Sequence, residues 1–164
     1  MALFAFARPV SAQTPQDEVK ATFVYRFASF VTWPDAAFSD VAAPIRICVI
    51  GAAPFARSLQ RAVSGQRAGA RGFEVTELAN ANQIGACHAV YVVGERTEAT
   101  LLQARRHAVL TITDGGGERG VIHFALVDDR VRFYIDDARA AESSLAIDPR
   151  LLNLAISVRR RPAQ

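Results

Sequence analysis

A chain of 164 residues with a formal net charge of +3, half of it hydrophobic, fits one domain with room for a real core. The positive charge is almost wholly arginine, Lys20 being the only lysine, and the one dense basic run, Arg159-Arg160-Arg161, stands near the C-terminal end. Nucleic-acid binding asks for basic residues gathered on one element with aromatics interleaved, which excludes nucleic acid as a partner. No apolar run approaches the ~18 to 20 residues of a membrane span, so the mature protein is expected to be soluble.

Residues 1–12 form a short apolar stretch ending in Val10-Ser11-Ala12 before Gln13, the small-x-small pattern of a signal-peptidase site. They are read as a signal peptide or its remnant, and residues 13–164 as a single domain. Thr14, Pro15 and Asp17 suit a helix start. Val19, Phe23, Phe27, Phe30 and Val31 then follow helical spacing on one apolar face. Pro34 is expected to stop the helix just after Trp33. Tyr25 and Trp33 fall off the stripe, which makes them candidates to face a partner.

From residue 45 the pattern alternates. Strands are predicted at 45–50, 73–78, 88–93 and 108–113, with helices at 54–63 and 97–106 between them. This predicts an α/β fold, a mostly parallel sheet covered by helices on both faces. Residues 120–127 and 130–136 read as two strands joined by Asp128-Asp129, a C-terminal antiparallel hairpin at one edge. Two short helices, 137–143 and 148–158, would close the chain, the second with an apolar face that includes Leu151 and Leu154.

Cys48 and Cys87 are the only cysteines. In an exported protein an even number favours a disulfide, which in the chain-entropy model would contribute roughly 4 kcal/mol. The alternative is two small buried residues: Cys48 lies late in its strand and Cys87 at the start of another, and plain parallel register would hold their α-carbons beyond the ~7 Å limit for bridging.

His88, His107 and His123 lack the short ligand spacings of metal sites, and no metal is expected. Gly51 to Phe55 occupies the first strand-to-helix turn, where an open parallel sheet often binds phosphate, but it is no GxGxxG fingerprint and Pro54 removes an amide. Gly115-Gly116-Gly117 lacks a following GK[ST] and reads as a loop. No GxSxG elbow or other catalytic constellation is visible, so the chain is read as a non-enzyme without a cofactor.

Several pieces recur together in order: the helix running to Trp33-Pro34, Ile47-Cys48-Val49-Ile50-Gly51, Cys87-His88, Val109-Leu110-Thr111-Ile112-Thr113-Asp114, Val131-Arg132-Phe133-Tyr134-Ile135, and Leu151-Leu152. Over residues 16–158 the chain thereby resembles the YfiR-like family of small periplasmic regulators. The resemblance implies a periplasmic inhibitor, acting as a homodimer, that binds the periplasmic sensor region of an inner-membrane diguanylate cyclase. It would thereby repress cyclic di-GMP production and biofilm formation. It also implies a redox-responsive Cys48–Cys87 pair and an outer-membrane lipoprotein that sequesters the inhibitor. A second cysteine pair carried by some family members is absent here. Tyr25, Trp33, Leu151 and Leu154 are the expected partner-binding residues. The alternative is a small-molecule binding module using a strand-end crevice at Gly51, Phe55, Asp114 and Gly115.

Overall fold

The computed structural model describes residues 14–163. The segment read as a signal peptide lies outside them. Helix α1 (Pro15–Ser29) starts on a capping box, in which the Thr14 hydroxyl accepts from the Asp17 amide and the Asp17 carboxylate accepts from the Thr14 amide. Asp17 and Glu18 in the first turn and Arg26 in the last complement the helix dipole.

The helix ends at Phe30, four residues before the proline expected to stop it. Val31 and Thr32, both β-branched, form strand β1 (Val31–Thr32), which pairs antiparallel with β8 (Ala146–Ile147). The Asp148 amide donates to the Phe30 carbonyl at 2.9 Å. Tertiary pairing thus ends α1 before sequence-local sterics act. The aromatic stripe shifts accordingly: Ala21, Val24, Phe27 and Ala28 are buried, whereas Val19, expected inside, is 45% exposed.

The main sheet comprises β2 (Ile45–Ile50), β3 (Phe73–Leu78), β4 (Ala89–Val92), β5 (Leu110–Thr113), β6 (Ile122–Val127), β7 (Arg130–Asp136) and β9 (Val158–Arg159). Its spatial order is β3-β2-β4-β5-β6-β7-β9. The first five strands in that order are parallel, and β6 and β7 form an antiparallel hairpin. The remaining helices are α2 (Ala53–Ala62), α3 (Thr97–Ala104), α4 (Asp137–Glu142) and α5 (Pro149–Leu152). Where one helix was expected over 148–158, α5 spans a single turn. Val158 and Arg159 then leave it to pair parallel with Ile135 and Asp136.

Strand alternation sends Ile45, Ile47 and Val49 to one face and Cys48 and Ile50 to the other. The first face packs under α1 and α2, where Phe23, Phe27, Phe124 and Phe133 form an aromatic cluster with ring centroids 4.8–6.3 Å apart. The second face is covered by Ala104 of α3 and by a 3-10 segment, Ala81–Ala86, that stands where a crossover helix would normally lie.

Two local solutions shape the far edge. β5 and β6 overlap by only two residue pairs, Ile112 with Ile122 and Thr113 with His123, so a short loop of residues 114–121 suffices where a parallel crossover usually needs a helix. Gly120 passes so close to β5 that a Cβ would stand 2.7 Å from the Thr111 carbonyl oxygen. The hairpin turn Asp128-Asp129 has φ of 47° and 58°, the left-handed pair that a two-residue type I′ turn demands. Aspartate tolerates that region better than most residues.

Candidate functional site

The Cys48 and Cys87 sulfurs are joined, with their α-carbons 5.9 Å apart. Register explains how the long-distance objection is met. Ile47 pairs with Ala89 and Cys48 with Val90, so a regular strand would carry Cys87 three positions away from Cys48. Cys87 instead closes the Ala81–Ala86 turn, its amide bonded to the Ile84 carbonyl, and that turn folds over the second face of the sheet. Both cysteines are 4% exposed. A cavity of about 490 Å³ opens beside them, lined by Arg46, Thr76, Leu78, Gln83 and His107 among others.

Of the four residues expected to face a partner, two point inward. Trp33 is 7% exposed, and its indole Nε1 donates to the His88 carbonyl at 3.0 Å. The early end of α1 turns Trp33 off the helix and down onto the sheet. Leu151 is 3% exposed, because the single turn of α5 seats it in the main core. Tyr25 is half-buried with its ring edge-on to Phe73 at 5.7 Å, and Leu154, past the end of α5, is 60% exposed.

Trp33 belongs to a polar-aromatic knot that the sequence reading missed. The His88 ring is buried and stacks on Phe38 at 4.2 Å. Its Nδ1 accepts from the Arg46 amide at 2.9 Å, which leaves Nε2 to carry the proton and donate to the Ala37 carbonyl at 2.8 Å. Burial holds the imidazole below its ordinary pKa, and the positive charges of Arg46 and Arg71 act in the same direction. Arg71 lies 3.6 Å over the Phe38 ring and donates to the Asp40 and Ala43 carbonyls. A cleft of about 570 Å³, lined by Trp33, Phe38, Asp40 and Arg71, borders this knot. The only sequence signal was Trp33-Pro34 itself, since the partners lie up to 55 positions away.

The strand-end crevice is largely occupied by the protein's own groups. The strand order β3-β2-β4-β5-β6 is that of flavodoxin-like sheets, in which ligands sit where β2 and β4 diverge. Here Gly51, with φ of 81°, packs so closely that a Cβ would fall 2.5 Å from the Val93 carbonyl oxygen. Phe55 is buried and stacks on Tyr91 at 4.0 Å. Asp114 accepts from Lys20 at 2.5 Å and from the Tyr91 hydroxyl at 3.1 Å, so α1 is tied across the end of β5. Burial, then the Asp114 charge, pushes the Tyr91 phenol well above its usual range, and it serves as a hydrogen-bond donor. Gly115, by contrast with Gly51, borders open space.

Fold and site together define a small α/β domain with its nucleotide-type crevice filled and a disulfide pinning one face of the sheet. The chain belongs to the YfiR/HmsC-like family, whose model matches residues 17–156. Members of that family are periplasmic regulators of diguanylate cyclases rather than enzymes. No curated protein matches the chain. Among the described residues, no helix is long and apolar enough to cross a membrane.

Proposed function

We propose that this protein is a periplasmic inhibitor that binds the periplasmic sensor region of an inner-membrane diguanylate cyclase and so represses cyclic di-GMP production and biofilm formation. The observation that carries the reading is the family match across residues 17–156. The filled crevice supports it, because a strand end occupied by Phe55, Tyr91, Asp114 and Lys20 leaves surfaces, rather than a pocket, for recognition.

Inhibition requires tighter binding to the inactive arrangement of the cyclase than to the active one. Leu154 and the outer edge of Tyr25 are the contact residues this reading keeps. The inhibitor would act as a homodimer, with an outer-membrane lipoprotein sequestering it when the pathway is on. Redox control would work through the Ala81–Ala86 turn, since reducing the Cys48–Cys87 bond frees that turn from β2.

Binding of the mature protein, from Gln13 onward, to the isolated periplasmic domain of a cyclase encoded in the same genome tests the reading. Saturable binding that weakens with reductant and is abolished by Cys48→Ser is the expected result. Binding indifferent to reductant would leave an inhibitor with a purely structural disulfide. Absence of binding to every such domain would overturn the proposal.

A further inference from the structure

The second face of β6 and β7, beyond the reach of α3, carries a set of donors that the inhibitor reading does not use. His123 of β6 and Tyr134 of β7 are register partners and so share one face. With Arg119, Asp136, Ser157 and Arg159 they line a cavity of about 210 Å³.

Thr113 engages one ring nitrogen of His123. The Thr113 hydroxyl oxygen accepts from the Gly120 amide at 2.9 Å. Its own proton has two acceptors in reach, His123 Nδ1 at 2.9 Å and the Ile122 carbonyl at a long 3.5 Å. Whichever way the proton between Thr113 and Nδ1 points, that contact engages Nδ1 and leaves Nε2 as the second ring nitrogen. His123 Nε2 makes no hydrogen bond to the described residues and is not sealed from solvent, and His123 lines the cavity.

The surrounding charge is positive. The Arg119 guanidinium lies 4.9 Å over the Tyr134 ring and makes no ion pair among the described residues. The one carboxylate in the lining, Asp136, is already engaged: Oδ1 accepts from the Arg159 Nε and the Arg139 amide at 2.9 Å, and Oδ2 lies 2.8 Å from an Arg159 terminal nitrogen and 3.8 Å from Arg139 Nε. Arg139 also donates to the Arg119 carbonyl. Arg159 spends part of its five-donor fork on Asp136 and keeps the remainder.

We propose that this cavity is a binding site for a small oxyanion, a phosphate or carboxylate group held by Arg119 and the free donors of Arg159 beside the His123 ring. Preset donors around a net positive cavity are the arrangement that charge-assisted hydrogen bonds exploit. None of these residues is assigned to cyclase binding, so the two proposals stand or fall separately.

The test is a titration of the full, oxidised chain with inorganic phosphate at constant ionic strength, following the His123 imidazole resonances by NMR, with acetate as a second arm. Saturable shifts at His123 are expected, weakened about tenfold or more in Arg119→Gln and unchanged in Arg130→Gln at the hairpin turn. Arg119 and Arg130 are both exposed, so neither change threatens the fold. Tighter binding of phosphate identifies a phosphate ligand, and tighter binding of acetate identifies a carboxylate. No saturable response at His123 to either anion, or equal affinity in the wild type and Arg119→Gln, would overturn the proposal.

Discussion

The indole of Trp33 and the backbone of His88, 55 positions apart, meet in a hydrogen bond of 3.0 Å that ties the segment after α1 to the start of β4. The same His88 carbonyl also accepts from the Leu110 amide, so this one oxygen joins three separate parts of the chain. Replacing Trp33 by Phe removes the buried donor and part of the ring, with Leu110 still serving the carbonyl. Stability should fall by about 1–3 kcal/mol, read as a lower midpoint in urea unfolding. An unchanged midpoint would show that the bond contributes nothing net.

Stability should also decline in mild acid. The folded-state pKa values of His88 and His123 are both depressed, chiefly by burial, so the unfolded chain binds protons more readily than the folded one. Their contribution is complete above the unfolded value near 6.5 and is lost as pH falls through that value toward the folded ones. Protonation of His88 Nδ1 would also break its bond from the Arg46 amide. Urea midpoints should therefore be flat from about pH 8 to 7 and drop between about pH 6.5 and 5. The depressed pKa of Asp137, held down mainly by Arg161, acts in a separate window, below its ordinary 3.8. A midpoint that does not move between pH 7 and 5 would refute the histidine account.

The Cys48–Cys87 bond closes a loop across a separation of 39 positions. The double substitution Cys48→Ser, Cys87→Ser should lower stability by up to about 4 kcal/mol in the chain-entropy model. Amide exchange should quicken first in the Ala81–Ala86 turn, which the bond pins to β2. Uniform acceleration across the whole sheet would mean that the turn is not a separate unit.

Two glycines at strand ends should answer differently to alanine. Gly51→Ala combines a left-handed φ with a Cβ 2.5 Å from the Val93 carbonyl and should cost about 3 kcal/mol or more. Gly115→Ala meets open space and should cost only about 1 kcal/mol of backbone strain. Equal costs, measured by chemical unfolding, would mean that the β2 end is looser than its packing implies.

Much of the central architecture was legible, because the runs Ile45–Ile50 and Phe73–Leu78 and the helices that follow β2 and β4 carry their own periodicity. The errors fall where a distant partner decides. Val31 and Thr32 read as helix until Ala146 and Ile147 pair with them, and Val158 read as helix until Ile135 does. The cysteine pairing was open because register alone argued against it. The bond depends on a 3-10 turn with no periodic signature. At the candidate sites, the sequence carried His88, His123 and Trp33 as separate residues, and only the fold shows which groups they meet and how deeply they are buried.

The two-pair overlap between β5 and β6 gives the molecule a seam. On one side lie β3, β2, β4 and β5, fastened by the disulfide. On the other lies the β6–β7 ribbon, joined to them along its backbone by two residue pairs, by the Thr113–His123 side-chain contact and the Tyr91–Phe124 rings, and tied to α1 by Phe23 and Phe27 against Phe124 and Phe133. A pull on the ribbon tip would therefore reach the disulfide-fastened half only through β5 and these side-chain contacts.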